Sequence, residues 1–203
     1  MKVNRHLIVA VVLMLAGCIA GGSRMVHDSA SSLPGTTVAL KGKPQNLVGT
    51  PIKVGMPIPD IPLIDAFSME KVSLARGKGK ILLLSLVPSI DTPVCEEQTH
   101  YLGEKANLPE MVKLITISRD TPFAQKRFAT ESGLENVTFL SDHREGAFGR
   151  STGLLVEESM LLARAIIIVD KGGIVTYLQV VPELSHLPDM EAAFAAVRAM
   201  IRG

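Results

Sequence analysis

Residues 81–87, Ile-Leu-Leu-Leu-Ser-Leu-Val, are a short apolar run that reads as a strand covered on both faces. Such a strand needs layers above and below it, which restricts the chain to a sheet packed on both sides. The pattern then changes. Thr92 suits a helix cap, Pro93 fits the first helical position, and Glu96 and Glu97 place acidic residues in the first turn. Cys95 falls in that turn, beside backbone N–H groups without helical partners, where thiolate is favoured over thiol. A strand that gives way to a helix at a cysteine is a place for a nucleophile.

The rest of the chain alternates around this unit. Residues 37–47 carry a Lys-Gly-Lys-Pro turn between two extended pieces and predict an N-terminal hairpin. Residues 51–63 are proline-rich and are expected to be irregular, lying over the sheet. Strands are predicted at 111–118, 137–141, 164–169 and 174–181, and helices at 94–106, 123–132, 145–152 and 189–201. Asp170, Lys171, Gly172 and Gly173 predict a tight hairpin. Met190, Ala193, Phe194, Val197 and Ile201 form one apolar stripe on the last helix. The order predicts an α/β fold with a mixed sheet in one domain.

Composition narrows the function. A formal net charge of +1 argues against a nucleic-acid footprint, and scattered histidines suggest no metal set. Phe123, Phe128 and Phe148 are expected in the core, and His143 is expected to be a loop histidine. The two cysteines stand in different contexts. Lys2 and Arg5 precede an apolar stretch at 7–15, and Leu15-Ala16-Gly17-Cys18 follows it. Residues 1–17 therefore read as a signal peptide, the apolar stretch being shorter than the about 20 residues of a membrane span. The sequence around Cys18 resembles a bacterial lipobox, which implies lipid attached to Cys18 and a chain anchored in the cell envelope, touching the membrane through its lipid alone. Residues 18–36 are small and polar and are expected to form a flexible tether, leaving 37–203 as the folded domain.

Pro88, Thr92 and Cys95 stand in a P-x-x-x-T-x-x-C pattern that resembles the peroxidatic motif of peroxiredoxins. The longer VPSIDTPVC resembles the thiol peroxidase branch of that family. Further blocks continue the resemblance: LKGKPQNLVG at 40–49, KVG at 53–55, PFAQKRF at 122–128, LSDHR at 140–144 and LLARA at 161–165. The resemblance implies a thioredoxin-like fold, a central mixed sheet flanked by helices with the hairpin as an N-terminal extension. It implies a thiol-dependent peroxidase acting on hydrogen peroxide and organic hydroperoxides without metal or cofactor. Cys95 would be the nucleophile. Arg164 would hold thiolate and peroxide, a role that its bland alternative, a solvated arginine at a strand start, would not fill. Thr92 would hydrogen-bond both, and Pro88 would shield the sulfur. A helix N-terminus alone contributes up to about 2 kcal/mol to a thiolate, so a cation is expected nearby.

One departure stands out. Relatives of this branch carry a resolving cysteine in a pattern like RFCGAEG, and this chain has Arg127-Phe128-Ala129-Thr130 there. With Ala129 in that place, a one-cysteine cycle is expected, closed by an external thiol or thioredoxin-like reductant or by a bridge between two Cys95 residues. A homodimer is implied by the resemblance. The alternative function is a redox sensor or binding module on the same fold, without turnover. A dithiol exchanger is disfavoured because Thr92 stands where a second sulfur would be needed.

Overall fold

The computed structural model describes residues 25–76 and 79–202. In chain order it contains β1 (His27–Asp28), β2 (Thr37–Leu40), β3 (Lys43–Val48), β4 (Pro62–Asp65) and β5 (Lys71–Ser73). These are followed by β6 (Ile81–Leu86), α1 (Pro93–Lys105), β7 (Val112–Ser118), α2 (Pro122–Ser132) and β8 (Val137–Ser141). The chain continues through α3 (Ala147–Thr152), β9 (Leu155–Val156), β10 (Ala165–Val169), β11 (Val175–Val180), β12 (Leu187–Pro188) and α4 (Met190–Arg202). This is the expected α/β architecture, with a thioredoxin-like mixed sheet between helical layers.

The main sheet has the strand order β11-β10-β6-β7-β8-β4-β5. β6, β7 and β8 run parallel, as strands joined through α1 and α2 must. β10 lies antiparallel on the other side of β6, with Ala165 opposite Leu86. The start of β10 therefore lies beside the end of β6, which puts Arg164 next to the turn that leads to Cys95. Every residue of β6 is buried, as the apolar run requires. Leu82, Leu84 and Leu86 face one core with Phe148, while Ile81 and Leu83 face the other with Leu102 and Phe194. Two cores on one sheet explain why the run shows no alternation.

The N-terminal hairpin is present as β2 and β3, antiparallel, with Thr37 opposite Asn46. Its turn residues Lys41 and Gly42 are left-handed, at φ 51° and 74°, as a two-residue hairpin turn demands. Residues 51–61 are irregular, with Ile52 and Ile58 among them buried, but Pro62 and Leu63, expected to be irregular too, begin a strand. A second hairpin, β4 with β5, was not foreseen. Its strands have four and three residues, too few to show a period, and its turn is built locally by Asp65, whose carboxylate accepts from the amides of Phe67 and Ser68.

Residues 1–17 and Cys18 lie outside the described residues. Of the expected tether, residues 25–36 are laid along the domain. β1 pairs in parallel with β12, Ser32 bridges Val180, and the Gly35 amide donates to the Gly153 carbonyl. Gln179 donates to the carbonyls of Asp28 and Ala30 at 2.6 and 3.1 Å. Small polar residues read as flexible because their contacts are made by backbone, which composition does not reveal. No helix among the described residues is long and apolar enough to cross a membrane.

Candidate active site

The turn from β6 into α1 is fixed from outside itself. Asp120, just beyond β7, accepts the Ile90 amide and the Ser89 hydroxyl, each at 2.8 Å. Thr92 occupies the cap position of α1 in an extended conformation, and its carbonyl accepts the amides of Cys95 and Glu96 at 3.0 and 2.9 Å. Its side chain does not cap the helix. The hydroxyl donates instead to the Ser89 carbonyl at 3.2 Å. Pro93 takes the first turn, as expected. Cys95 is thereby held in the first turn of a thirteen-residue helix with its side chain fully buried.

Arg164 meets it there. Its Nη2 lies 3.3 Å from Cys95 Sγ. Nε donates to the Leu184 carbonyl at 2.9 Å, and Nη1 donates to Gln98 Oε1 at 2.7 Å and to the Val94 carbonyl at 3.4 Å. The residue is 2% exposed, which removes the solvated alternative. None of these partners is a carboxylate. A buried guanidinium without a counter-charge is costly, and a thiolate at Cys95 would supply that charge. Glu96 and Glu97 are exposed and point their charge toward water.

Gln98 was not singled out from the sequence. It is buried one helical turn beyond Cys95, accepts from Arg164, and donates to Ser85 Oγ at 2.7 Å and to the Leu86 carbonyl at 3.4 Å. The single polar residue inside β6, Ser85, was the available signal: a hydroxyl in a buried strand needs a partner. The pair ties Arg164 to the strand that carries the turn.

A pocket of ≈ 370 Å³ reaches Arg164, while Cys95 is fully buried and does not line it. Its lining includes Pro88, Thr92 and Arg164, Leu40, Lys41 and Gln45 of the hairpin, and Leu161, Leu162 and Leu184. Pro88 is half-buried. The structure brings Pro88, Thr92, Cys95 and Arg164 together, but it contains no hydrogen bond from Thr92 to the sulfur. A second cavity of ≈ 460 Å³, between residues 31–36 and 51–54, has Lys53 as its one ionisable lining group.

Other singled-out residues lie elsewhere. Ala129 is 4% exposed in the core on α2. His143 sits in the loop after β8 with Nδ1 3.0 Å from Ser141 Oγ, and burial, reinforced by Arg144 and Arg119, lowers its pKa. Phe128 and Phe148 are core residues, but Phe123 is 74% exposed, contrary to expectation. It occupies the outer face of α2's first turn, which the sheet does not cover. Glu183 accepts the amides of Lys41, Gly42 and Ser185 and the Ser185 hydroxyl. Burial raises its pKa, but these four bonds outweigh it and hold the carboxyl at about 2.

Residues 53–194 match the family described as Redoxin. The chain is 41% identical over 165 residues to the thiol peroxidase of Halalkalibacterium halodurans, covering 81% of this chain and 99% of that one. It is 43% identical over 163 residues to a thiol peroxidase of Staphylococcus aureus, covering 80% and 98%. Among solved structures, the peroxiredoxin-like protein from Aquifex aeolicus superposes with a TM-score of 0.77 at 35% identity, covering 83% of this chain and 99% of the other. The thiol peroxidase from Chromobacterium violaceum, at 22% identity and a TM-score of 0.70, shares the fold over 82% of this chain and 97% of its own.

Proposed function

Because this chain belongs to the redoxin family and is a thiol peroxidase, we propose that Cys95 is its peroxide-reducing nucleophile, working in a one-cysteine cycle. The observation that carries the proposal is the contact of Arg164 Nη2 with Cys95 Sγ, buried, with no carboxylate among the guanidinium's hydrogen-bond partners in the described residues. The thiolate attacks the terminal peroxide oxygen, the S–O bond forms as the O–O bond breaks, and the departing oxygen takes a proton to leave as water or alcohol. Cys95 becomes a sulfenic acid. Arg164 stabilises charge on sulfur and on the peroxide through its planar fork. Thr92, free to turn from the Ser89 carbonyl, donates to the peroxide, and Pro88 limits water at the sulfur.

The apolar pocket favours organic hydroperoxides alongside hydrogen peroxide, since alkyl groups gain from leaving water. Reduction then takes two equivalents of an external thiol. The first condenses with the sulfenic acid, releasing water and leaving a mixed disulfide, and the second displaces it to restore Cys95. A thioredoxin-like protein would serve as a donor in the same exchange, and a Cys95–Cys95 bridge across a homodimer is the other closing route. The support for a one-cysteine cycle is compositional: the described residues hold a single cysteine, and Ala129 is a core alanine.

Mass spectrometry of peroxide-treated protein in the presence of a sulfenic-acid trap tests this. A trapped adduct on Cys95, with no intrachain disulfide, is expected. A disulfide joining Cys95 to Cys18 would contradict it. The N-terminal reading is part of the same proposal: residues 1–17 removed, lipid on Cys18, and a domain facing the outside of the bacterial membrane that holds it. Mass measurement of the N-terminal peptide from envelope fractions is expected to find acyl chains on Cys18, and an unmodified thiol would refute that part.

A further inference from the structure

Residues 182–185 touch both the outer wall of the pocket and the cation behind the sulfur. The Ala39 amide donates to the Pro182 carbonyl at 2.7 Å, and the Leu184 amide donates to the Ala39 carbonyl at 2.8 Å. Between these backbone bonds, Glu183 directs its carboxylate to the hairpin tip. Oε1 accepts the Lys41 amide and Oε2 the Gly42 amide, each at 2.9 Å. Two successive amides converge on one carboxylate because both residues are left-handed, which turns their N–H groups to the same side. The Ser185 amide and hydroxyl, at 3.1 and 2.7 Å, fix Oε1 from behind. One residue on, the Leu184 carbonyl accepts Arg164 Nε at 2.9 Å.

We propose that Glu183 is a positioning residue of the peroxidase site: by clamping the Lys41–Gly42 tip it sets the pocket's fit to the organic group of a hydroperoxide. The proposal rests on the reading of Cys95 and Arg164 given above. An alkyl or aryl hydroperoxide whose O–O bond reaches the sulfur must lay its carbon part against the hairpin and Leu161, Leu162 and Leu184, which line the way in. Hydrogen peroxide has no such part and does not touch the wall. Removing the clamp therefore penalises the bulky substrate selectively.

Loss of the clamp leaves the hairpin's other anchors intact. The Asn46 amide remains on the Glu158 carboxylate, and Leu47 and Val48 remain paired with β9. Variants at Glu183 are therefore expected to fold, which thermal unfolding checks directly.

The experiment is stopped-flow oxidation of the reduced full chain and of Glu183→Ala and Glu183→Gln, with cumene hydroperoxide and with hydrogen peroxide. The expected result is a fall in the cumene-to-hydrogen-peroxide rate ratio of roughly tenfold for Glu183→Ala, the loss of about one hydrogen bond's worth of fit. Glu183→Gln keeps the size but can satisfy one amide fewer, and its ratio is expected to lie between. An unchanged ratio in folded variants, or an equal loss with both peroxides, overturns the proposal. Should the wild-type protein oxidise slowly with both, the reading of Cys95 itself fails, and this proposal with it.

Discussion

At the scale of single residues, the site is a buried cation given one partner able to take a negative charge. Arg164 reaches Cys95 across 69 positions of sequence, and each of its three nitrogens has a named acceptor. Lysine cannot reproduce that fork, so Arg164→Lys is expected to slow oxidation of Cys95 by roughly 10- to 150-fold, the equivalent of one charge-assisted hydrogen bond. A rate equal to wild type would show that the guanidinium geometry is not used. Gln98→Leu tests the support behind it. The change strands Ser85 Oγ in the core and leaves Arg164 Nη1 only the Val94 carbonyl at 3.4 Å, and it is expected to cost about 1–3 kcal/mol in denaturant unfolding, with a slower first oxidation. Unchanged stability would mean that water or a neighbour takes over both groups.

Legibility at this scale follows spacing. Pro88, Thr92 and Cys95 stand within eight positions and declare themselves together. Arg164 is visible only through the block that surrounds it in relatives, because a lone arginine before a strand looks solvated. Gln98, Asp120 and Glu183 were not legible: each is a single polar residue whose role exists only when distant backbone arrives beside it.

At the scale of elements, the unit that matters is strand, turn and helix, and the sequence specifies it well. Complete burial removes alternation from β6, and Thr92 and Pro93 mark the helix start. The short pieces escaped. β1, β9 and β12 have two residues each, and partners rather than propensity hold them in place. The hairpin tip carries an acid-sensitive contact. Glu183 has its carboxyl at about 2, against an ordinary 4.5, so the clamp stabilises the folded state fully above pH 4.5. That contribution is lost progressively as the pH falls from 4.5 toward about 2. Amide exchange at Lys41 and Gly42 is therefore expected to accelerate over this window ahead of the hairpin's strands. Uniform acceleration along β2 and β3 would contradict a local clamp.

At the scale of the whole molecule, a seven-stranded sheet brings the starts and ends of distant strands to one edge, and the site is built there. The N-terminal strap adds a feature outside the residues matched to the family. It covers the free side of β11 near Val180 and satisfies the amide of Gln179, which is 3% exposed. A chain beginning at residue 37 is expected to lose about 1–3 kcal/mol, with Tm falling by about 2–4 °C for each kcal/mol. An unchanged Tm would mean that the strap lies on the domain without stabilising it. Composition could not reveal the strap, since most of its bonds are made through the main chain, with Ser31 Oγ accepting the Val180 amide and Asp28 meeting His186.

Cys95, held by Arg164 in the first turn of α1, is proposed to reduce peroxide. The most direct test is stopped-flow loss of the Cys95 thiol on mixing reduced protein with hydrogen peroxide or an alkyl hydroperoxide. Second-order oxidation far faster than that of a free thiol is expected, and none in Cys95→Ser. A rate no better than a free thiol's would contradict it.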